Sequence, residues 1–362
     1  MDTSVRQENN ALRTVTAILM LFIAGVHYYS RVRVGDTLVN DIIYNAGRFA
    51  IPVLVLTSGY FCYSKDGHSE ANIKRKAFHI LFLIVIYKLF YLIFSGIYCL
   101  AGILTPEYVL MEFLVVSPGF DFACYGGTVM LEATQPIWFI YALFMIYVLW
   151  YILYRFKVDF KWTWLLAIQI LIICVLFDEI LPNIGVEEIG GIWIRRIGGV
   201  MYPFILLPFF VIGYYLHKYK ETIDAHVTNW MIWVALLGSA VVMVLESLFL
   251  PGSAIIYVGS IVVAIALFMG TFRVPPEKYR IKPLEYMGRY LTVWMYVFFG
   301  AANFAIRSIT QYYSDNFFFC EVLGPFLAIA LDIVMAFGFH CFLDILAAKK
   351  AAKKVSVSRS LP

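Results

Sequence analysis

The chain has 362 residues, 62% of them hydrophobic, 18% aromatic and only 14% charged, with a net charge of +4 and a mean hydropathy of +0.80. A water-soluble domain is excluded, because its surface needs about a quarter of all residues charged. A nucleic-acid-binding protein is also excluded, because the basic residues sit in short segments between apolar runs and not along one face.

The N-terminal ten residues, MDTSVRQENN, are polar. The apolar run after them is too long for a signal h-region and has no small-residue cleavage site, so it reads as a retained first helix. Segment 13–33 has the length and composition of a membrane-spanning helix, since about 20 apolar residues at ~1.5 Å each cover a ~30 Å hydrocarbon core. It carries His27 well inside its apolar run. Lipid penalises such a residue, so His27 is a candidate functional side chain. The competing reading is a histidine bonded between helices or lying at the interface beside Tyr28 and Tyr29.

Apolar runs at about 13–32, 43–63, 78–103, 136–155, 162–181, 198–217, 229–250, 254–272, 290–307 and 318–346 predict an all-α fold. The expected architecture is a polytopic membrane bundle of about ten transmembrane helices. A tight Pro251-Gly252 turn joins the seventh and eighth runs. No internal repeat is evident, which argues against inverted-repeat transporters. The chain divides into a polar tail at 1–12, a transmembrane domain at 13–346 and a basic tail at 347–362.

Lys and Arg set the orientation. With the N-terminus inside, twenty-one of the 28 basic residues fall on the cytoplasmic side and five outside, while Arg48 and Lys88 lie within spans. Both termini are therefore cytoplasmic, and His27 lies in the outer half of its helix. Lys74, Arg75 and Lys76 open the third helix from the cytoplasm. A long outer loop at about 104–135 carries Glu112, Asp121 and Glu132 and no Lys or Arg; a second, at 182–197, carries Glu187, Glu188, Trp193, Arg195 and Arg196. Long loops in compact membrane proteins are often lids or binding segments. The basic tail reads as an anchor beside anionic lipid. The six cysteines show no metal spacing, and most lie in or beside apolar runs as small hydrophobes. Cys124 and Cys320 fall on the outer side, where a disulfide between them is possible.

Two stretches resemble a known family. Helix 1 with its outer-half His27, followed by Arg48-Phe49-Ala50-Ile51-Pro52 and, after five residues, Ser58-Gly59-Tyr60, resembles the acyltransferase-3 family of integral-membrane acyltransferases. That family has about ten helices and an R-F-x-x-P-x-x-x-x-x-S-G-Y/F signature on the second. Weaker echoes are Lys74-Arg75-Lys76-Ala77-Phe78-His79, Pro136-Ile137-Trp138-Phe139-Ile140 and Pro208-Phe209-Phe210-Val211-Ile212-Gly213-Tyr214. Within the family the chain looks closest to the membrane domain of vancomycin-resistance serine racemases, without the racemase domain.

The resemblance implies an O-acyltransferase of the cell's inner (plasma) membrane. It would move an acyl group, usually acetyl, from cytosolic acetyl-coenzyme A, a co-substrate and not a bound cofactor, to a hydroxyl of an extracytoplasmic acceptor such as a glycan. His27 takes the place of the base that accepts the hydroxyl proton, and imidazole suits that task near neutral pH. Arg48 and Ser58 match motif positions, Arg48 to orient His27 through a carboxylate or to bind substrate. Lys74, Arg75, Lys76 and His79 are expected to hold the donor's phosphates; plain positive-inside topology is the competing reading. Gly59 reads as a packing glycine, and Pro52 is expected to kink helix 2 and open a carbonyl to the cavity.

Three positions depart from the family pattern. Thr16 stands where the family has Arg or Lys eleven residues before the histidine; eleven residues at ~100° return to within ~20°, so Thr16 and His27 share a face. Arg13 lies one turn further in. The late S-x-x-I-Y-x-x-H element reads from Thr292 to Phe299, with Thr for Ser and Phe for His, and the R-x-x-R opening helix 3 becomes Lys76-x-x-His79. These departures leave open an alternative, a transporter of a small polar solute such as L-serine, as proposed for the racemase-linked relatives.

Overall fold

A computed structural model describes residues 10–29, 47–64, 69–102, 105, 106, 109, 137–156, 162–186, 188–189, 192–249, 257–273, 281–310 and 318–359. These are helical throughout except for short connections and one two-residue strand pair, Glu188–Ile189 against Ile192–Trp193. Five helices are long and apolar enough to cross a membrane: Asn10–Tyr28, Glu70–Leu100, Trp138–Arg155, Asn229–Phe249 and Phe318–Lys349. Three shorter apolar helices, Thr163–Val175, Ile205–Lys218 and Val258–Arg273, accompany them. The chain forms two compact units, one from Met1–Val34 with Val274–Pro362, the other from Gly35–Arg273.

In the Gly35–Arg273 unit the first described element is a tight turn, Gly47–Phe49, leading into α2 (Ala50–Tyr60); α1 (Asn10–Tyr29) belongs to the other unit. Then follow α3 (Ser69–Leu100), α4 (Ile137–Arg155), α5 (Thr163–Val175, continued by a wide π turn at Leu176–Ile180), α6 (Ile194–Lys218), the short α7 (Lys220–His226), α8 (Asn229–Phe249) and α9 (Val258–Arg273). Helix α6 is the hub and packs on α2, α4 and α5. Its residues 205–211 are all buried. Its aromatic seam is edge-on: Trp150 meets Phe210 at 5.4 Å and Tyr214 at 5.1 Å, and Tyr147 meets Phe210 at 5.4 Å.

Backbones touch where glycines allow it. A Cβ at Gly59 of α2 would run into the carbonyl of Phe210, and one at Gly213 of α6 into the carbonyl of Leu56. The two motif glycines thus form one reciprocal contact, the small-residue packing that membrane helices use in place of hydrophobic drive. Helix α9 joins α8 similarly, with Gly259 against the Met243 backbone. Glu246 of α8 accepts the Gly259 N–H at 2.9 Å, so a carboxylate in an apolar run satisfies an orphan donor at a helix start.

In the second unit, α1 (Asn10–Tyr29) packs with α10 (Lys282–Tyr286), α11 (Thr292–Thr310) and α12 (Gly324–Arg359). A π turn, Met287–Leu291, joins α10 to α11, and another, Phe318–Leu323, opens α12. Gly288 lies on the Arg13 carbonyl and Gly324 on the Tyr28 ring. Phe339 of α12 packs edge-on between Trp294, at 4.7 Å, and Phe298, at 5.5 Å, of α11. The buried stripe of α12 runs Gly324, Ala328, Asp332, Ala336, and Asp332 is fully buried with neither carboxylate oxygen hydrogen-bonded among the described residues.

Several expectations change. Pro52 is the third residue of α2, in its first turn and not in the helix interior, where its missing N–H breaks no bond within α2. The third helix begins at Ser69, nine residues early, so Lys74 to His79 lie on a helix. Arg195 and Arg196 lie in the first turn of α6 and not in a loop. The tail is helical to Arg359. The Pro251-Gly252 turn, Glu112, Asp121, Glu132, Glu187 and Cys124 with its candidate disulfide lie outside the described residues. The Cys320 thiol donates to the Thr310 carbonyl at 3.6 Å.

Candidate functional site

The candidate residues fall into two groups, one in each unit. His27 stands in the last described turn of α1, and α11 reaches the backbone there. Arg307 donates to the His27 carbonyl and, at 2.9 Å, to the Tyr28 carbonyl, with its guanidinium carbon 5.4 Å from the centre of the Tyr28 ring. One turn earlier, Asn303 Nδ2 donates to the Ala24 carbonyl at 3.2 Å. A cation at a helix C-terminus also meets the negative end of the dipole. Tyr28 completes the frame, its hydroxyl 3.3 Å from the Cys320 carbonyl, to which it donates, and 3.5 Å from the Thr310 hydroxyl.

The His27 ring is half-buried and lies against Phe299, centroids 5.2 Å apart and planes tilted by 43°. By the resemblance Phe299 stands where a late histidine is expected, and its ring lies directly on that of His27. Thr16, at the other departure, turns its hydroxyl back to the Leu12 carbonyl at 2.7 Å. Arg307 and Asn303 were missed by the sequence reading, which counted Arg307 as an outer-side basic residue. The i,i+4 spacing of Asn303 and Arg307 in an apolar helix was the available signal.

In the other unit, Ser58-Gly59-Tyr60 ends α2. Each of the last four carbonyls has a partner: Thr57 O takes the Phe61 N–H at 3.2 Å, Ser58 O the Lys76 ammonium at 3.5 Å, Gly59 O the Cys62 N–H at 3.0 Å, and Tyr60 O meets His217 Nδ1 at 2.8 Å. His217 also stacks on the Tyr60 ring at 4.1 Å, nearly parallel. The Ser58 hydroxyl donates to the Leu54 carbonyl at 3.0 Å.

The basic set of α3 divides. Lys74, Arg75 and His79 are exposed, and Arg75 donates to Asn72 Oδ1 at 3.1 Å. Lys76 turns inward, 3.8 Å from Cys62 Sγ and 5.8 Å from the centre of the Phe61 ring. Arg48 lies half-buried in the turn before α2. The structure therefore brings Ser58 and Lys76 together with Cys62, and leaves Lys74, Arg75 and His79 as an outward basic face. Among the described residues no three His, Cys, Asp or Glu side chains converge as a metal site.

The chemistry on offer is a framed imidazole in one unit and, in the other, a thiol beside an ammonium with cationic side chains on the outward face of α3. No curated protein and no solved structure matches the chain. The profile of the acyltransferase-3 family, an acyltransferase domain, matches residues 9–343. That range holds both helical units almost entire, and the chain belongs to the acyltransferase-3 family of membrane acyltransferases.

Proposed function

We propose that the chain is an O-acyltransferase of the inner (plasma) membrane, with about ten crossings and both termini cytoplasmic. It moves an acetyl group from cytosolic acetyl-coenzyme A to a hydroxyl of an extracytoplasmic acceptor such as a glycan. The observation that carries this reading is His27: an imidazole inside an apolar helix, framed by Arg307 and Asn303, in a chain matched by an acyltransferase family over 9–343. His27 is the base for the hydroxyl proton, which typically contributes about 10²–10⁴-fold. Arg48 and Ser58, which share the motif of the Gly35–Arg273 unit, are assigned to binding substrate. Lys74, Arg75 and His79 offer cations to the donor's phosphates from their exposed face, with Lys76 at its inner edge. Kinship with the membrane domains of vancomycin-resistance serine racemases is part of this proposal. Transport of L-serine, which the changes at Thr16 and Phe299 would suit, is not favoured by the family match.

The test uses proteoliposomes given labelled acetyl-coenzyme A on the donor side and labelled serine outside, with wild type beside His27→Ala. Donor turnover that disappears in the folded His27→Ala protein supports the assignment. Undiminished turnover removes His27 from the mechanism. Serine entry without donor turnover would overturn acyl transfer in favour of transport.

A further inference from the structure

Where α2, α6 and α9 finish, the Gly35–Arg273 unit leaves an open cleft of about 330 Å³ beside α7. That is the size at which small-molecule pockets begin, about 300 Å³. Tyr60, Phe268 and Phe272 wall it together with Ile223, and Lys220, Asp224 and Arg273 supply its polar edge. The rings brace one another. Tyr60 stacks on His217 at 4.1 Å and on Phe272 at 4.6 Å, and Phe268 meets Tyr60 at 5.5 Å and Phe272 at 5.0 Å, both edge-on.

The polar edge is braced as well. Arg273 Nη2 donates to the Val227 carbonyl at 2.8 Å and to the Asp224 carbonyl at 3.4 Å, and pairs with Asp224 Oδ1 at 3.2 Å. One guanidinium thus ties α7 and the residue after it to the end of α9, and the cleft is formed before anything enters it. Asp224 keeps a second carboxylate oxygen, on a side chain 45% exposed. Lys220 is exposed at the rim, with Nζ 5.8 Å from the centre of the Phe272 ring. Among the described residues that line the cleft Asp224 is the one acid, and two cations outweigh it.

We propose that this cleft receives the adenosine end of the donor coenzyme, with the 3′-phosphate on Lys220. The inference rests on the acyl-transfer reading, and on the charge asymmetry that puts these helix ends in the cytoplasm. A planar base needs apolar and aromatic walls. Its exocyclic amine needs an acceptor, and a carboxylate oxygen is a strong one. A phosphate needs a mobile cation, which a rim lysine is. The cleft offers each of these. A lipid headgroup also brings a phosphate to Lys220, but it has no planar ring for the walls.

Coenzyme A carries phosphate at two places, on the ribose and in the diphosphate. Lys220 meets the first, and Lys74 and Arg75 on α3 are left for the second. Rings join the two sets of cations. Lys76 Nζ lies 5.8 Å from the centre of the Phe61 ring, Phe61 is edge-on to Tyr60 at 5.4 Å, and Tyr60 walls the cleft. The α3 face then supplies charge, and the cleft supplies the preference for an adenosine.

The experiment places the purified full chain in phosphatidylcholine nanodiscs and titrates it with adenosine 3′,5′-bisphosphate, coenzyme A and 3′-dephospho-coenzyme A. The bisphosphate is expected to bind and to be displaced by acetyl-coenzyme A. Lys220→Met should weaken coenzyme A about fivefold and leave 3′-dephospho-coenzyme A unchanged, because only the first has the phosphate that Lys220 meets. Ile223→Trp fills the cleft. It should abolish binding of the bisphosphate and raise the KM for acetyl-coenzyme A more than about tenfold with kcat held; a wild-type melting curve shows that it folds. Lys74→Met should weaken both coenzymes alike. Coenzyme A bound equally by wild type, Lys220→Met and Ile223→Trp overturns the cleft and leaves acyl transfer standing. A bisphosphate that does not bind, with a Lys220-dependent rise in melting temperature when phosphatidylglycerol or phosphatidylethanolamine is added to the nanodiscs, gives the cleft to a lipid headgroup and overturns it too. Wild-type protein that neither binds nor consumes the coenzyme overturns both readings.

Discussion

A single side chain, Arg307, decides how His27 is presented. It is buried at 9% exposure and satisfies two carbonyls at the end of the helix that bears the imidazole. Arg307→Ala removes a charge-assisted donor from both carbonyls, at a cost of about 1–3 kcal/mol. Thermal unfolding in detergent should move down accordingly. Turnover should fall while the donor KM holds, because α1 frays at His27 and not where Lys74 and Arg75 lie. Arg307→Lys keeps the charge but not the planar fork, and partial recovery of turnover is the expected result. Full activity in Arg307→Ala would show that the cap does not hold the base.

Between helices, the decisive feature is the reciprocal glycine contact of α2 and α6. A methyl at Gly59 or Gly213 meets a backbone carbonyl, which cannot swing aside as a flexible side chain would. Gly59→Ala and Gly213→Ala should each destabilise by about 2 kcal/mol or more through overpacking. The double variant should cost less than the sum, since the first methyl already separates the helices. Gly238 on α8 has nothing near its missing Cβ. Gly238→Ala is thus the control and should raise stability by up to about 1 kcal/mol through helix propensity. Melting curves of the four proteins read this directly, and equal losses at all three positions would deny the contact. Ser58 and Tyr60 flank the same glycine, so a motif that looks chemical in sequence is in good part a packing device.

At the scale of the whole molecule, lipid and charge set the frame. One face of α3 exposes Phe78, Phe82, Val85, Leu89, Ile93 and Ile97, the apolar stripe that a bilayer covers. Trp230 and Trp233 stand exposed at the start of α8, where an interfacial aromatic belt belongs. The charge asymmetry predicts a cytoplasmic C-terminus. A fluorescent protein fused after Pro362 should fluoresce, and alkaline phosphatase fused at the same point should be inactive; the opposite pair would turn the basic face of α3 away from the cytosolic donor.

The sequence by itself determined the membrane class, the positions of the apolar helices, the candidate His27 and the family, because hydropathy, charge placement and a motif are local and additive along the chain. It also marked Gly59 as a packing residue. What it did not contain was the partner of each group. That Arg307 caps α1, that Phe299 covers the His27 ring, that Gly59 and Gly213 answer each other, and that Lys76 leaves its basic neighbours for Cys62 are contacts between residues far apart in the chain. Pro52 shows the same limit from the other side: whether a proline falls in a helix interior or in its first turn depends on where the helix starts. Only the tertiary structure decided these matters, because a buried donor, carbonyl or ring takes whichever neighbour the packing brings within a few ångströms, and separation along the chain does not encode that.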